Sequence, residues 1–211
     1  QAPLTVVDDF QAGIRISAFA VSQTDNLLVG TANQGLFVHS PINGFEQISF
    51  DDEAEPWIYS ITVTTDNTVL MGTFGKGLYA LDLQHLRFRR SFFDPLHPAS
   101  LANDNVWALH TDSRGLVWIG ANTGLQIYES TNNGIKHILG GIGSFGGLSQ
   151  RHVHSVQSRN DHLIVGTGSS GLERLNPITG RTEALCDDGN DPIETLIVAE
   201  DQRLFASSNF K

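Results

Sequence analysis

The sequence predicts an all-β fold, and three observations support this prediction. No segment keeps ten or more residues of helical periodicity, because Gly, Asn, Asp and Ser interrupt every apolar run. Short apolar runs rich in β-branched and aromatic residues alternate with polar turns. The same pattern returns along the whole chain, which indicates an architecture built from repeats.

Each copy of the repeat contains an apolar strand that ends in glycine, and four or five residues later a second glycine stands before a leucine. The first-glycine positions are Gly30, Gly72, Gly120 and Gly166, with Ala206 in the fifth copy. The second glycines are Gly35, Gly77, Gly124 and Gly171. The intervals between the first-glycine positions are 42, 48, 46 and 40 residues. Units of this size are typical of propeller blades.

Two further strands complete each unit. An alternating apolar strand precedes the first glycine at 16–20, 58–63, 106–110, 153–157 and 193–198. In each unit, a polar turn that contains an Asp joins this strand to the following strand, which ends at the first-glycine position. A more polar fourth strand follows at 45–50, 87–92 and 181–185. Four strands per unit predict a β-propeller of four-stranded antiparallel blades, at 11–50, 56–93, 104–139, 151–185 and 191–211, the last incomplete.

The third unit carries the most specific pattern. Within Ser100 to Glu129 the pattern positions are Leu101, Val106, Leu109, Asp112, Gly115, the run 117–120, Gly124, Leu125 and Tyr128. This segment resembles the two-component regulator propeller repeat, although Ala121 replaces the usual Thr. The other copies resemble it more loosely, because they lack the Trp before the glycine.

The resemblance implies a propeller of seven blades, of which this chain holds about four and a half. It also implies the periplasmic part of a bacterial membrane sensor, in which a transmembrane helix and a histidine kinase or diguanylate cyclase follow the propeller. Because the chain stops at Lys211 in the middle of a hairpin, we expect a longer polypeptide. Its remaining blades and a second copy in a homodimer are the expected protein partners.

The composition argues against several other classes of protein. Thirteen basic residues against 23 acidic ones give a net charge of -10, which disfavours nucleic-acid binding. The single Cys186 excludes an internal disulfide and a multi-thiolate metal site. No apolar run approaches the ~18 residues of a membrane-spanning helix, so no membrane contact is expected within this segment.

One stretch has the spacing of a dinucleotide-binding loop. Gly166, Gly168 and Gly171 follow an apolar strand as G-x-G-x-x-G. Pro177 leaves too little room for the helix that would hold a pyrophosphate, and the other copies lack a complete motif. We therefore interpret Gly166 and Gly171 as the glycines of the repeat and Gly168 as incidental.

The loops that enter each first strand, and the hairpins with paired glycines, are predicted to share one face of the propeller, the usual binding face. Eleven of the 23 acidic residues lie in the entering loops. Ca²⁺ prefers several oxygen ligands, and the candidate ligands are Asp51, Asp52, Asp187 and Asp188. The alternative is that these acids are solvated turn residues. No other cofactor is expected.

The ligand-binding candidates on this face are Trp57, Phe74, Trp107, Asn122, Arg151 and His152. Aromatic rings can stack on a sugar, and the alternative for them is packing between blades. His152 and His154 stand two residues apart in a predicted strand, so they would share a face as two metal ligands do. No third ligand lies near them in sequence.

The leading functional prediction is a ligand-sensing or scaffolding propeller without catalysis, which binds a small molecule or an oligosaccharide. The alternative is a secreted glycosidase or polysaccharide lyase, with Tyr59, His152 and Arg151 as acid, base and charge neutraliser. A protein-interaction propeller without an export signal is a third reading. The sequence contains no G-x-S-x-G, H-E-x-x-H or Walker motif.

Overall fold

The computed structural model describes residues 13–40, 42–50, 54–129, 134–138, 148–149, 152–186 and 192–208. This part of the chain forms eighteen β-strands and no helix. The strands make four antiparallel sheets of four strands each and one sheet of two strands. The predicted all-β fold of four-stranded antiparallel blades is therefore confirmed.

Each sheet follows chain order from its innermost to its outermost strand. Blade one contains β1 (Ile16–Val21), β2 (Leu27–Thr31), β3 (Leu36–Ser40) and β4 (Gly44–Ile48). Blade two contains β5 (Ile58–Val63), β6 (Thr68–Thr73), β7 (Leu78–Asp82) and β8 (Arg87–Ser91). Blade three contains β9 (Val106–Thr111), β10 (Val117–Ala121), β11 (Gly124–Glu129) and β12 (Gly134–Ile138). Blade four contains β13 (Val153–Arg159), β14 (His162–Thr167), β15 (Leu172–Leu175) and β16 (Thr182–Cys186), and unit five contains β17 (Ile193–Val198) and β18 (Leu204–Ser208).

The hydrophobic core lies between the blades and divides into four clusters, one for each pair of neighbouring units. Strand β6 shows how one strand serves two of these clusters. Val69 and Met71 pack into the cluster shared with blade one, whereas Leu70 packs into the cluster shared with blade three. In blades one to four, both faces of the second strand are buried, so these strands are continuous apolar runs without alternation.

The first glycine of each unit lies where the innermost strand of the next blade approaches. A Cβ atom at Gly30 would lie 2.7 Å from Ile58 Cγ2, and one at Gly72 would lie 2.9 Å from the backbone oxygen of Val106. Contacts this short are incompatible with a side chain. The recurring glycine therefore sets the close spacing between neighbouring blades.

The fifth unit differs from the sequence alignment by one residue. Thr195 pairs with Ser207, as Ser60 pairs with Gly72 in blade two. Ser207, and not Ala206, therefore takes the glycine position. The turns before β6 and β18 have equal length, because Ala199 N–H donates to Arg203 O as Thr64 N–H donates to Thr68 O. Counting onward from these turns places Ser207 at the position of Gly72. The sequence prediction aligned the apolar residues of "LFAS" with those of the earlier strands, which places Ala206 at the glycine position and is wrong by one residue.

A histidine joins blades three and four. His110 on β9 is half-buried, its Nε2 accepts the backbone N–H of Ser158 at 3.1 Å, and it lies 2.6 Å from the Ser158 hydroxyl. Burial lowers the pKa of His110 below its ordinary value of 6.5, although Asp112 opposes this shift. The folded protein therefore favours the neutral ring, which can accept the Ser158 N–H.

We expect this contact to make stability depend on pH. Because the folded-state pKa of His110 is lowered, its stabilising contribution is complete above about pH 6.5 and is lost as pH falls towards the folded pKa. Urea unfolding across this range should show a shallower loss of stability for His110→Gln than for the wild type. Parallel curves for His110→Gln and the wild type would contradict the assignment.

Candidate functional site

The innermost strand of every unit contains a β-bulge at the same position. In blade two, Ile58 pairs with Thr73 and Ser60 pairs with Gly72, so Tyr59 between them has no partner on β6. The same shift recurs in the other four units. The bulge residues are Ser17, Tyr59, Trp107, His154 and Glu194.

A bulge adds a residue that does not follow the inward and outward alternation of the strand, and so redirects one side chain. Residues on either side of the bulges contact neighbouring blades: Ile58 approaches Gly30, and Ser155 donates to Ile193 O at 2.9 Å. The bulge residues instead line a cavity of about 530 Å³, which we call the bulge-lined cavity. Its walls are formed by Arg15, Ile16, Ser17, Trp57, Tyr59, Trp107, His154, Glu194 and Thr195.

Four rings form a continuous strip along this cavity. Trp57 and Tyr59 are stacked with 5.4 Å between ring centroids and 12° between planes. Trp107 and His154 are stacked in the same way, at 5.4 Å and 10°. Tyr59 and Trp107 join the two pairs at 4.5 Å and 56°, so the strip bends in the middle. The half-buried rings give an apolar surface with polar edges.

Two neighbouring residues support this strip. Trp107 Nε1 donates to Asn122 Oδ1 at 2.5 Å, which fixes the orientation of the indole ring. Phe74 lies 6.1 Å from the rings of Trp57, Tyr59 and Trp107, and its backbone N–H donates to Trp57 O at 3.0 Å. This hydrogen bond joins the glycine hairpin of blade two to the segment entering β5. Hairpins and entering segments therefore share one face, as the sequence predicts.

Charged groups of opposite sign lie at the two ends of the strip. The Arg15 guanidinium lies 5.6 Å from the centre of the Trp57 ring, and Glu194 lies at the His154 end. Burial lowers the pKa of His154, an effect that Glu194 opposes and His152 reinforces. Burial raises the pKa of Tyr59, which Arg15 lowers and Glu194 raises further. At neutral pH both groups are therefore neutral and able to exchange hydrogen bonds with a ligand.

The structure brings four of the ligand-binding candidates together: Trp57, Phe74, Trp107 and Asn122. His152 is exposed and lies before β13, where its backbone oxygen accepts the N–H of Gly168 at 3.0 Å. His152 lies outside β13 and His154 occupies the bulge, so the two histidines do not belong to one regular strand, although both side chains lie near Gly168. Arg151 and the four calcium candidates, Asp51, Asp52, Asp187 and Asp188, lie outside the described residues.

Arg15 and Glu194 belong to this cavity but are not candidates on sequence grounds. The signal that identifies Glu194 is positional, since it follows the aliphatic residue that opens the first strand of its unit, as Tyr59 and Trp107 do. Among the described residues, no group of three or more His, Cys, Asp or Glu side chains is arranged to hold a metal ion. Within the same ranges, no helix is long and apolar enough to cross a membrane.

Comparison with known proteins identifies the repeat and the fold. Residues 100–123 match the sequence model of the family described as the two component regulator propeller. The resemblance found in the third unit is thus confirmed. No protein with a curated description matches the sequence.

The fold is similar to two extracellular domains from B. thetaiotaomicron. The domain of the putative hybrid two component system BT3049 has a TM-score of 0.77 and 14% identity, over 92% of this chain and 27% of that one. The domain of the putative one component system BT4673 has a TM-score of 0.58 and 18% identity, over 94% and 31%. Virginiamycin B lyase from Staphylococcus aureus has a TM-score of 0.72 and 8% identity, over 91% and 62%. The chain thus spans about a third or less of the two extracellular domains, and these likenesses show the propeller fold.

Proposed function

We propose that this propeller binds a small molecule or oligosaccharide in the bulge-lined cavity and is the extracytoplasmic sensing region of a bacterial transmembrane signalling protein. The observation that carries the proposal is the bulge repeated in all five units, which directs one side chain per unit to a common cavity. Recognition sites combine apolar surface with a few placed polar groups, and this cavity has both.

The aromatic strip favours a saccharide over a purely apolar ligand. The flat faces of Trp57 and Trp107 can cover the C–H face of a sugar ring, whereas Tyr59, His154 and Glu194 offer hydrogen-bonding partners for hydroxyl groups. The signalling role is supported by the repeat at 100–123 and by the similar fold of the extracellular domains of the two putative two component and one component systems.

The proposal includes further blades of the same polypeptide. Ile16 and Phe19 on β1 are 51% and 75% exposed, whereas their counterparts on β5, Ile58 and Ile61, are 0% and 9% exposed. In the other units these positions pack against the preceding blade. A preceding blade of the same type would cover the exposed pair in the same way.

A carbohydrate-active enzyme is the second candidate, because Tyr59, His154 and Glu194 are titratable groups in one cavity and virginiamycin B lyase is a propeller with a related fold. The raised pKa of Tyr59 opposes its use as a base. Incubation with neutral and acidic polysaccharides distinguishes the two functions. Release of reducing ends or unsaturated sugars would support the enzyme, and binding without turnover would support the sensor.

Truncation of the central ring tests the binding site. Two of the three tryptophans, Trp57 and Trp107, line the cavity, so a bound oligosaccharide should change tryptophan emission. We expect Trp107→Ala to weaken oligosaccharide binding at least tenfold by calorimetry, because it removes the middle of the strip.

Phe92→Ala is the control for this variant. It truncates an exposed aromatic side chain that follows the outermost strand β8, outside the cavity, and should bind like the wild type. Wild-type affinity in Trp107→Ala would place the ligand elsewhere.

A further inference from the structure

Comparison of the five units with one another separates two kinds of position. The residue before each bulge is always Ile or Val, at Ile16, Ile58, Val106, Val153 and Ile193. The bulge residue is Ser, Tyr, Trp, His or Glu, a different type in every unit. Because all five backbones make the same bulge with different residues, the bulge geometry itself does not require a particular side chain there.

The packing explains why only the first position is restricted. Ile58, Val106 and Val153 are fully buried, and each lies against the first glycine of the preceding blade. Tyr59, Trp107 and His154 are half-buried and line the cavity. Substitution before the bulge therefore disturbs the joint between blades, whereas substitution at the bulge changes the surface that a ligand meets.

Glu194 gives this surface a charge preference. Its side chain is exposed in the cavity, and within the described residues it makes no hydrogen bond or ion pair. The positive group at the other end, Arg15, lies over the Trp57 ring. The chain carries a net charge of -10, which adds to the attraction for cations.

We infer that the bulge position selects the ligand, one side chain per unit, and that Glu194 makes the cavity prefer saccharides that carry a protonated amine. This inference rests on the proposed function. It makes the fifth unit, which contributes a carboxylate, the main determinant of charge selectivity.

Three β-1,4-linked tetrasaccharides of similar shape test the inference: cellotetraose, which is neutral, the glucosamine tetramer, which is cationic, and the glucuronic acid tetramer, which is anionic. Calorimetry is performed at mildly acidic pH and low salt, where the amine is protonated and screening is weak. We expect the wild type to bind the glucosamine tetramer most tightly and the glucuronic acid tetramer least tightly.

Two glutamate variants separate the local charge from the charge of the whole protein. Glu194→Gln and Glu200→Gln each remove one negative charge at an exposed position, at opposite ends of β17. Glu194→Gln should reduce the preference for the glucosamine tetramer over cellotetraose about fivefold, the upper end for an exposed ion pair. Glu200→Gln should leave the preference unchanged, and Glu194→Lys should favour the anionic tetramer over the cationic one.

The outcomes distinguish the two proposals. If the wild type binds the tetrasaccharides and the Glu194 variants keep the wild-type ranking, the selectivity inference is overturned while the proposed function stands. An equal change in Glu194→Gln and Glu200→Gln would attribute the preference to net charge, which also overturns the inference. Absence of binding to all three saccharides would overturn the selectivity inference, whereas the proposed function is tested separately by Trp107→Ala.

Discussion

Trp118→Ala is expected to lower the free energy of unfolding by about 3–5 kcal/mol, the range for removing a fully buried aromatic side chain. Trp118 is 0% exposed and packs between blades three and four, with Val153 and Val156 in the same cluster. Its removal leaves a cavity in a joint that consists of strands from two blades. The rigid sheets on either side leave little scope for collapse, so the loss should lie in the upper part of the range.

The same side chain also holds a polar turn together. Trp118 Nε1 donates to Asp112 Oδ2 at 3.1 Å, and the Arg114 guanidinium donates to the same oxygen at 2.6 Å. Asp112 Oδ1 accepts the backbone N–H groups of Arg114 and Leu116. Burial raises the pKa of Asp112, but these donors together hold it below its ordinary value. Asp112, Gly115 and Trp118 of the repeat pattern thus belong to one hydrogen-bonded turn.

Chemical denaturation of three variants separates packing from hydrogen bonding. Trp118→Phe retains most of the apolar volume but loses the Nε1 donor, so about 1–2 kcal/mol of destabilisation is expected. Trp107→Ala, at a half-buried tryptophan in the cavity, is the matched control and should cost less than Trp118→Ala. Equal losses for Trp107→Ala and Trp118→Ala would show that Trp118 does not have this structural role.

The fold was predictable because its main determinants are local and repeat five times. The turn containing Asp112 and Gly115 uses short-range hydrogen bonds, and Gly115 has a positive φ of 81° that the motif itself indicates. The second strands of blades one to four are recognisable because both of their faces are buried, which leaves an uninterrupted apolar run. Five copies of such signals support one another, so an error in one copy, such as the shifted register at Ser207, does not change the architecture.

The site was only partly predictable, because the residues of one strand do not show where a bulge lies and its position is recognisable only when the units are compared. Trp57 and Trp107 draw attention as aromatics near strand starts, but Glu194 reads as one of many surface acids. Its position in the cavity depends on the missing partner between Ile193 and Thr195, a property of strand pairing. His154 is a further case, since strict alternation does not hold across a bulge.

The glycines of the G-x-G-x-x-G stretch allow a direct test of the blade-packing interpretation. A Cβ atom at Gly166 would lie 2.2 Å from Ser155 Oγ and 2.8 Å from the backbone oxygen of Ile193. It would also disturb the hydrogen bond from Ser155 Oγ to that oxygen. At Gly168 the nearest atom would be His152 Cβ at 3.0 Å, with no backbone atom among the closest contacts. The two positions therefore differ in what an added methyl group displaces.

We expect Gly166→Ala to lower the free energy of unfolding by about 1–3 kcal/mol, as other overpacked cores do. Gly168→Ala should change it by about 0.5 kcal/mol or less, because its nearest contact is longer and belongs to exposed His152, which lies outside the strands and can shift slightly. The midpoints of urea unfolding at neutral pH provide the comparison. Equal losses of stability in the two variants would contradict the interpretation that the close approach of the next blade requires glycine at position 166. A large loss of stability in Gly166→Ala alone would show that Gly166 is required for contact between blades. A phosphate-binding loop would instead need its glycines together.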